Sequence, residues 1–185
     1  RRLCPEDAAA QVALGKAYVA GKYSVEAIES FRRGIELDPN AMDAYEQLGD
    51  LCFQRSLYPE AIAVYEAALV RPGLNEASPL VQTANARLGA MYSWAGFNDT
   101  ALPRLEHALT SRSLDADGVA LVENAIASDA KCRSHAQYLL GEEWERLGNL
   151  EKAKAAYTKA AECPDPETVP RAREALDRLG GKKSG

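Results

Sequence analysis

Few residues in this chain are able to do covalent or metal chemistry. His107 and His135 are the only histidines, and Cys4, Cys52, Cys132 and Cys163 are scattered with no CxxC or Cys/His cluster. Metal sites need ligands paired at short spacing, so the pattern points away from a metal centre. No GxSxG elbow presents a nucleophile, and no GxGxxG or GxxxxGK[ST] loop cradles a phosphate. Asp115 and Asp117 suggest a calcium loop, but Gly118 falls too early and no closing glutamate follows. A helix cap is the better reading there. His107 sits one residue before a small packing position, where a partly exposed structural role fits it. The residues therefore offer no catalytic, cofactor-binding or metal-ligating constellation, and the chemistry left to the chain is recognition.

Bulk composition narrows the partners. The 185 residues carry 22 Lys+Arg against 27 Asp+Glu, a formal net charge of −5. Neutralising nucleic-acid phosphate requires clustered positive charge. Even residues 131–185, the most basic third, hold 11 basic and 9 acidic residues, so nucleic acid is not the expected partner. No apolar run approaches the length of a membrane span, so membrane insertion is not expected either. A chain of this size buries a core without staples, which favours reduced thiols and a cytoplasmic setting. The sequon Asn98-Asp99-Thr100 matters only in a secretory pathway. Beginning at Arg1 rather than Met fits a fragment or a processed product, and Leu3-Cys4 lacks the apolar stretch of a lipoprotein signal.

The elements that must position any recognition surface emerge from an internal repeat. Leu-Gly pairs recur at Leu14-Gly15, Leu48-Gly49, Leu88-Gly89 and Leu140-Gly141. Three residues after each glycine stands Tyr18, Cys52, Tyr92 or Trp144, and twelve after it stands Ala27, Ala61, Ala101 or Ala153. Four further on come Phe31, Tyr65, Leu105 and Tyr157, then a small residue at Gly34, Ala68, Ala108 or Ala160. Glycines and alanines share one set of intervals, 34, 40 and 52 residues. The unit is thus 34 residues, with insertions of 6 before the third copy and 18 before the fourth. Prolines 39, 72 and 164 close the first, second and fourth units.

This pattern resembles the tetratricopeptide repeat. The resemblance covers about 8–41, 42–75, 82–115 and 134–167, with Gln11 and Asn85 where the family often has Trp or Tyr. It implies an all-α fold, a right-handed superhelix of antiparallel helix pairs, as a single domain over 1–185. Hydrophobic periodicity agrees independently, since no period-2 segment competes. Each helix pair leaves an apolar face that only a stacked neighbour can bury. In the first repeat, Tyr18 to Gly21 is one residue shorter than the family pattern, which predicts a slightly different turn between its helices.

Ser78-Pro79 predicts a helix from about 79 to 95. The inserted segment 116–133 has no proline and no glycine after Gly118, which favours fusion into one long helix over about 118–147. The other reading is a separate short helix broken at Ser128-Asp129. A helix from Pro170 carries Ala172, Ala175, Leu176 and Leu179 on one side and charges on the other. It predicts a capping helix over about 169–179, followed by a loose tail at 182–185, with 1–7 frayed or cut from a longer array.

The resemblance implies a protein–protein interaction scaffold or adaptor, with no enzymatic activity, whose first helices line a concave groove for a peptide or partner helix. Positions sharing one face of those helices or at its edge give the candidate partner-binding residues Lys16, Asp43, Glu46, Asp50, Phe53, Trp94, His135, Tyr138 and Glu142, to which Arg87 is added as a position the family uses in its carboxylate clamp. Asp43, Glu46 and Asp50 stack three acids beside Phe53, which suits a basic or mixed basic-apolar peptide. The alternative for these acids is an ordinary solvated face, and for Trp94 and Tyr138 packing against the inserted segments. The chaperone-binding subclass carries a carboxylate clamp. Its positions here hold Val12, Lys16, Gln47, Thr83 and Arg87, of which only Arg87 matches, so that ligand is not expected. Two alternatives to the adaptor stand: a self-association module, and an accessory domain cut from a larger, enzymatic protein.

Overall fold

The computed structural model describes residues 7–72, 74–75, 78–129, 131 and 133–180. The described residues form ten α-helices and no strand: α1 (Ala8–Ala20), α2 (Ser24–Leu37), α3 (Met42–Gln54), α4 (Tyr58–Leu69), α5 (Pro79–Trp94), α6 (Asn98–Thr110), α7 (Ala116–Ala127), α8 (Ser134–Arg146), α9 (Leu150–Glu162) and α10 (Thr168–Gly180). The chain divides into two compact units, Arg1–Asn75 and Glu76–Gly185. In the first, α1 pairs with α2 and α3 with α4, and α2 packs on α3. In the second, α5 pairs with α6 and α8 with α9, α7 packs on α5 and α8, and α10 closes against α9. The predicted end fragments fall largely on 1–6 and 181–185, outside the described residues.

The glycine of each unit and the large residue sixteen positions on, an aromatic in three units and Leu105 in the third, turn out to be one contact. A Cβ added at Gly15 would lie 2.5 Å from Cε1 of Phe31, and at Gly49 or Gly141 the same distance from Cε1 of Tyr65 or Tyr157. At Gly89 it would meet Leu105 Cδ2 at 2.6 Å. No side chain fits beneath these rings, so glycine on the first helix is what lets the second helix's large residue seat fully in the core. The repeat alanines Ala27, Ala61, Ala101 and Ala153 are buried beside it.

The turn inside each pair is the same in all four units, which corrects the expectation of an irregular first repeat. Seven residues after each repeat glycine comes a left-handed residue: Lys22 (φ 65°), Ser56 (59°), Gly96 (84°) and Gly148 (78°). The following N–H donates back to the first helix, Tyr23 to Tyr18 O and Leu57 to Cys52 O at 2.9 Å, Phe97 to Tyr92 O and Asn149 to Trp144 O at 2.8 Å. Together with the Lys22 to Val19 bond at 3.0 Å and its counterparts, this is a Schellman termination. Gly21 occupies the preceding right-handed position (φ −78°). A Cβ there would meet the Tyr23 ring at 2.7 Å, so the glycine accommodates that ring and not the turn.

The insertion forms a helix of its own, which corrects the long-helix expectation. Asp115 caps α7 by accepting from Gly118 N at 2.8 Å, as the cap reading required. The break falls at Ser128-Asp129: Ser128 Oγ donates to Ala125 O at 2.7 Å and Asp129 Oδ1 accepts from Lys131 N at 3.0 Å. Short polar side chains thus supply partners that helix continuation would otherwise supply. Val119, Val122, Ala125 and Ile126 are buried, sharing one apolar cluster with Ala86 and Ala90 of α5. Ser78 accepts from Val81 N to start α5, and α10 spans the expected capping helix.

One cysteine departs from the sequence reading. Cys163 is disulfide-bonded, whereas Cys52 is free and buried; Cys4 and Cys132 lie outside the described residues. Disulfide formation depends on distance in space, not on spacing in the chain. The reduced-thiol expectation therefore fails at Cys163, and the preference for a cytoplasmic setting loses its ground.

Candidate functional site

The ten candidate residues divide between the units. Lys16, Asp43, Glu46, Asp50 and Phe53 belong to the first, on α1 and α3. Arg87, Trp94, His135, Tyr138 and Glu142 belong to the second, on α5 and α8.

On the first unit the acids have three different surroundings. Asp43 Oδ2 lies 2.7 Å from Lys16 Nζ, an exposed bridge from α3 to α1. Such a pair is worth at most about 1 kcal/mol in water and is readily exchanged for a ligand. Asp50 Oδ1 accepts from Tyr65 Oη at 2.8 Å, which ties it to the ring packed on Gly49. Burial, reinforced by the charge on Glu46, holds the Tyr65 phenol well above the usual tyrosine range, so it stays a donor. Glu46 is half-buried between them and makes no hydrogen bond or ion pair among the described residues. Phe53 is half-buried at the C-terminal end of the same helix, its ring 5.9 Å from that of Tyr58. Three carboxylates and one ammonium leave this face net negative, and its unengaged acid sits in the middle.

The second unit presents no equivalent face on α5. Its would-be groove positions Ala86, Ala90 and Ser93 are buried, and α7 packs on that helix. Ser93 Oγ donates to Ala125 O at 2.9 Å and lies 2.8 Å from Ser128 Oγ, so the serine anchors the end of α7. Arg87 is half-buried, while Trp94 and His135 are exposed. Tyr138 is buried: its ring lies 5.6 Å from Tyr157, with the Arg171 guanidinium of α10 4.4 Å from its centroid. Its hydroxyl donates to Glu142 Oε1 at 3.2 Å, and Arg112 bonds the same oxygen at 3.0 Å. Tyr138 and Glu142 therefore knit α8 to its surroundings, and Tyr138 is covered by Arg171 of α10. Beside them Glu145 accepts from Tyr157 Oη at 3.1 Å and from Arg178 at 2.6 Å. Sequence reasoning missed Arg112, Arg171 and Arg178 as members of this network, because they lie outside the repeat's first helices.

Among the described residues, no group of three or more His, Cys, Asp or Glu is placed to hold a metal ion. No helix among them is long and apolar enough to cross a membrane.

Comparison with known proteins bears on the fold. Two family models described as tetratricopeptide repeat match residues 21–79 and 134–162. No curated protein matches the chain. Among solved structures, the MamA RS-1 ArsTM double mutant is 21% identical with a TM-score of 0.50, covering 96% of this chain and 85% of its own. YrrB, described as a TPR protein with an unusual peptide-binding site, is 21% identical with a TM-score of 0.49, covering 92% and 94%. At such identity the likeness is one of fold alone. Four units in one register, each with its glycine under a large side chain of the second helix and the same left-handed turn, and matched in two stretches by the family's models, make the chain a tetratricopeptide-repeat protein.

Proposed function

We propose that the chain is a protein-interaction scaffold, and that the α1/α3 face of its first unit receives a basic or mixed basic-apolar peptide or partner helix. The observation that carries this is Glu46, a half-buried carboxylate with no hydrogen bond or ion pair among the described residues, flanked by Asp43 and Asp50 and followed by Phe53. A half-dehydrated carboxylate gains from a ligand cation, which supplies the charge partner that water supplies incompletely. Lys16 releases Asp43 to the same ligand, and Phe53 offers apolar surface one turn beyond Asp50. The tetratricopeptide architecture supports the interaction role in general. The charge of this face supports the class of ligand.

The test is capture of partners by wild type and by Glu46→Lys, with binding of a Lys/Arg-Leu peptide series measured by fluorescence anisotropy at two salt concentrations. Reversing a charge at the centre of the site is expected to weaken binding about tenfold or more, with a shallower salt dependence. Asp50→Lys is a poorer probe, because it also breaks the Tyr65 hydrogen bond. If Glu46→Lys and wild type hold the same partners with equal affinity, the acidic face is solvated surface and the proposal fails.

A further inference from the structure

Three helix ends meet in the second unit around a pocket of about 300 Å³. Among the described residues α7 and α9 each pack on α8 and not on each other. The gap between their C-terminal ends therefore stays open, with the start of α8 between them. Ile126 and Cys163 give it a buried apolar lining, and Ala127 stands exposed beside them. Ligand pockets run from about 300 to 1,000 Å³, so this one suits a molecule of amino-acid size and not a nucleotide.

One polar group in the lining lacks what buried polar groups need. Gln137, in the first turn of α8, is 8% exposed, and its Oε1 is buried with no hydrogen-bond partner. Buried amide oxygens are nearly always satisfied, because an orphan forfeits its bonds to water and gains nothing in return. An acceptor left this way at the wall of a pocket calls for a donor from outside the chain.

The charges around the pocket say what else the ligand carries. Asp129 and Arg133 are spent on each other, Arg133 Nε donating to Asp129 Oδ2 at 2.7 Å. Lys131 reaches only the exposed Asp99, at 3.6 Å, a pair readily exchanged for a ligand. Lys159 and Glu162, three apart on α9, are exposed and make no ion pair among the described residues. The helix α8 starts with no side-chain cap and no acid in its first turn, so its positive end is left uncompensated there. Two ammonium groups and a helix N-terminus face one spare carboxylate, which favours an anionic group beside a smaller cationic one. We infer that this pocket binds a free α-amino acid with an apolar side chain. Its carboxylate is held by Lys159 and Lys131 at the start of α8, and its ammonium donates to Gln137 Oε1 with Glu162 as counter-charge. Its side chain lies against Ile126 and Ala127. The inference stands independently of the acidic face, which lies on the first unit.

Isothermal titration calorimetry with L-leucine tests it, against L-leucinamide, which lacks the carboxylate, and isocaproate, which lacks the amine. L-leucine is expected to bind with a Kd below about 1 mM, and each analogue about tenfold or more weakly. Gln137→Leu replaces the orphaned amide by an apolar side chain of similar size. It is expected to weaken L-leucine binding about tenfold while Tm holds or rises, because no hydrogen bond of that oxygen is lost. Lys159→Gln, on an exposed side chain, is expected to weaken binding to a similar degree at unchanged Tm, which keeps the test alive if the buried substitution misfolds. Glu46→Lys is expected to bind L-leucine as wild type does, which separates this result from that on the peptide site. No binding of L-leucine up to about 10 mM overturns the inference. So does either analogue binding as tightly as L-leucine, or unchanged affinity in either folded variant.

Discussion

Lys22→Gly is expected to make the protein more stable, although it removes a side chain from a surface turn. Lys22 holds φ at 65° in a turn whose counterparts in the second unit are Gly96 and Gly148. A residue with a Cβ loses roughly 1–2 kcal/mol in the left-handed region. Glycine escapes that cost but gives back about 0.4–1 kcal/mol through the greater freedom of the unfolded chain. Lys22 is exposed and makes no ion pair among the described residues, so no contact enters the balance. The net expectation is a gain of about 0.5–1 kcal/mol. Gly148→Ala is the mirror experiment: an added Cβ there meets nothing within 4 Å, so its cost isolates the backbone term with opposite sign. Urea unfolding followed by circular dichroism reads both, provided m-values are compared, because a chain of two compact units need not unfold in one step. If Lys22→Gly lowers the midpoint at unchanged m, left-handed strain is not what governs this turn, and the equivalence of the four turns loses its energetic meaning.

Two further outcomes follow from the packing. Tyr65 and Tyr157 are held above the ordinary tyrosine range, chiefly by burial, and each donates to a carboxylate. A raised folded-state value means their contribution to stability is complete below the unfolded tyrosine value of about 10 and is lost as pH climbs past it. Absorbance at 295 nm is expected to show these two of the eight tyrosines ionising only together with loss of helix; smooth ionisation of all eight in a folded chain contradicts it. Ser93→Ala removes the hydroxyl that binds Ala125 O and the neighbourhood of Ser128, at about 1–2 kcal/mol. Hydrogen exchange is expected to accelerate most at the C-terminal end of α7, and uniform acceleration across the second unit refutes the anchoring role.

How much of this was legible beforehand depended on what was periodic. The repeat glycines, alanines and rings sit at fixed intervals, and each maps to one kind of contact, so the helix pairs and the capping helix were readable from spacing. Gly21 misled because a glycine beside a turn usually serves the left-handed position; here it makes room for the Tyr23 ring, and Lys22 takes the strain. The break at Ser128-Asp129 was masked because neither residue forbids a helix; local hydrogen bonds decide the matter. The candidate face suffered most in the second unit. Tyr138 shares its helical side with the expected groove positions, and nothing within α8 reveals that Arg171 of a later helix covers it.

The insertion is also what makes the two units unequal as recognition surfaces. A peptide-binding face on a first helix requires small or polar residues that stay open. In α5 the small residues are present at Ala86, Ala90 and Ser93, but α7 packs on the helix that carries them and draws its own Val119, Val122 and Ile126 into the same cluster. That contact is core and not lid: exposing three such side chains costs roughly 1.5–3 kcal/mol apiece, more than a surface peptide of modest length returns. The peptide site proposed above therefore lies on the acidic α1/α3 face of the first unit.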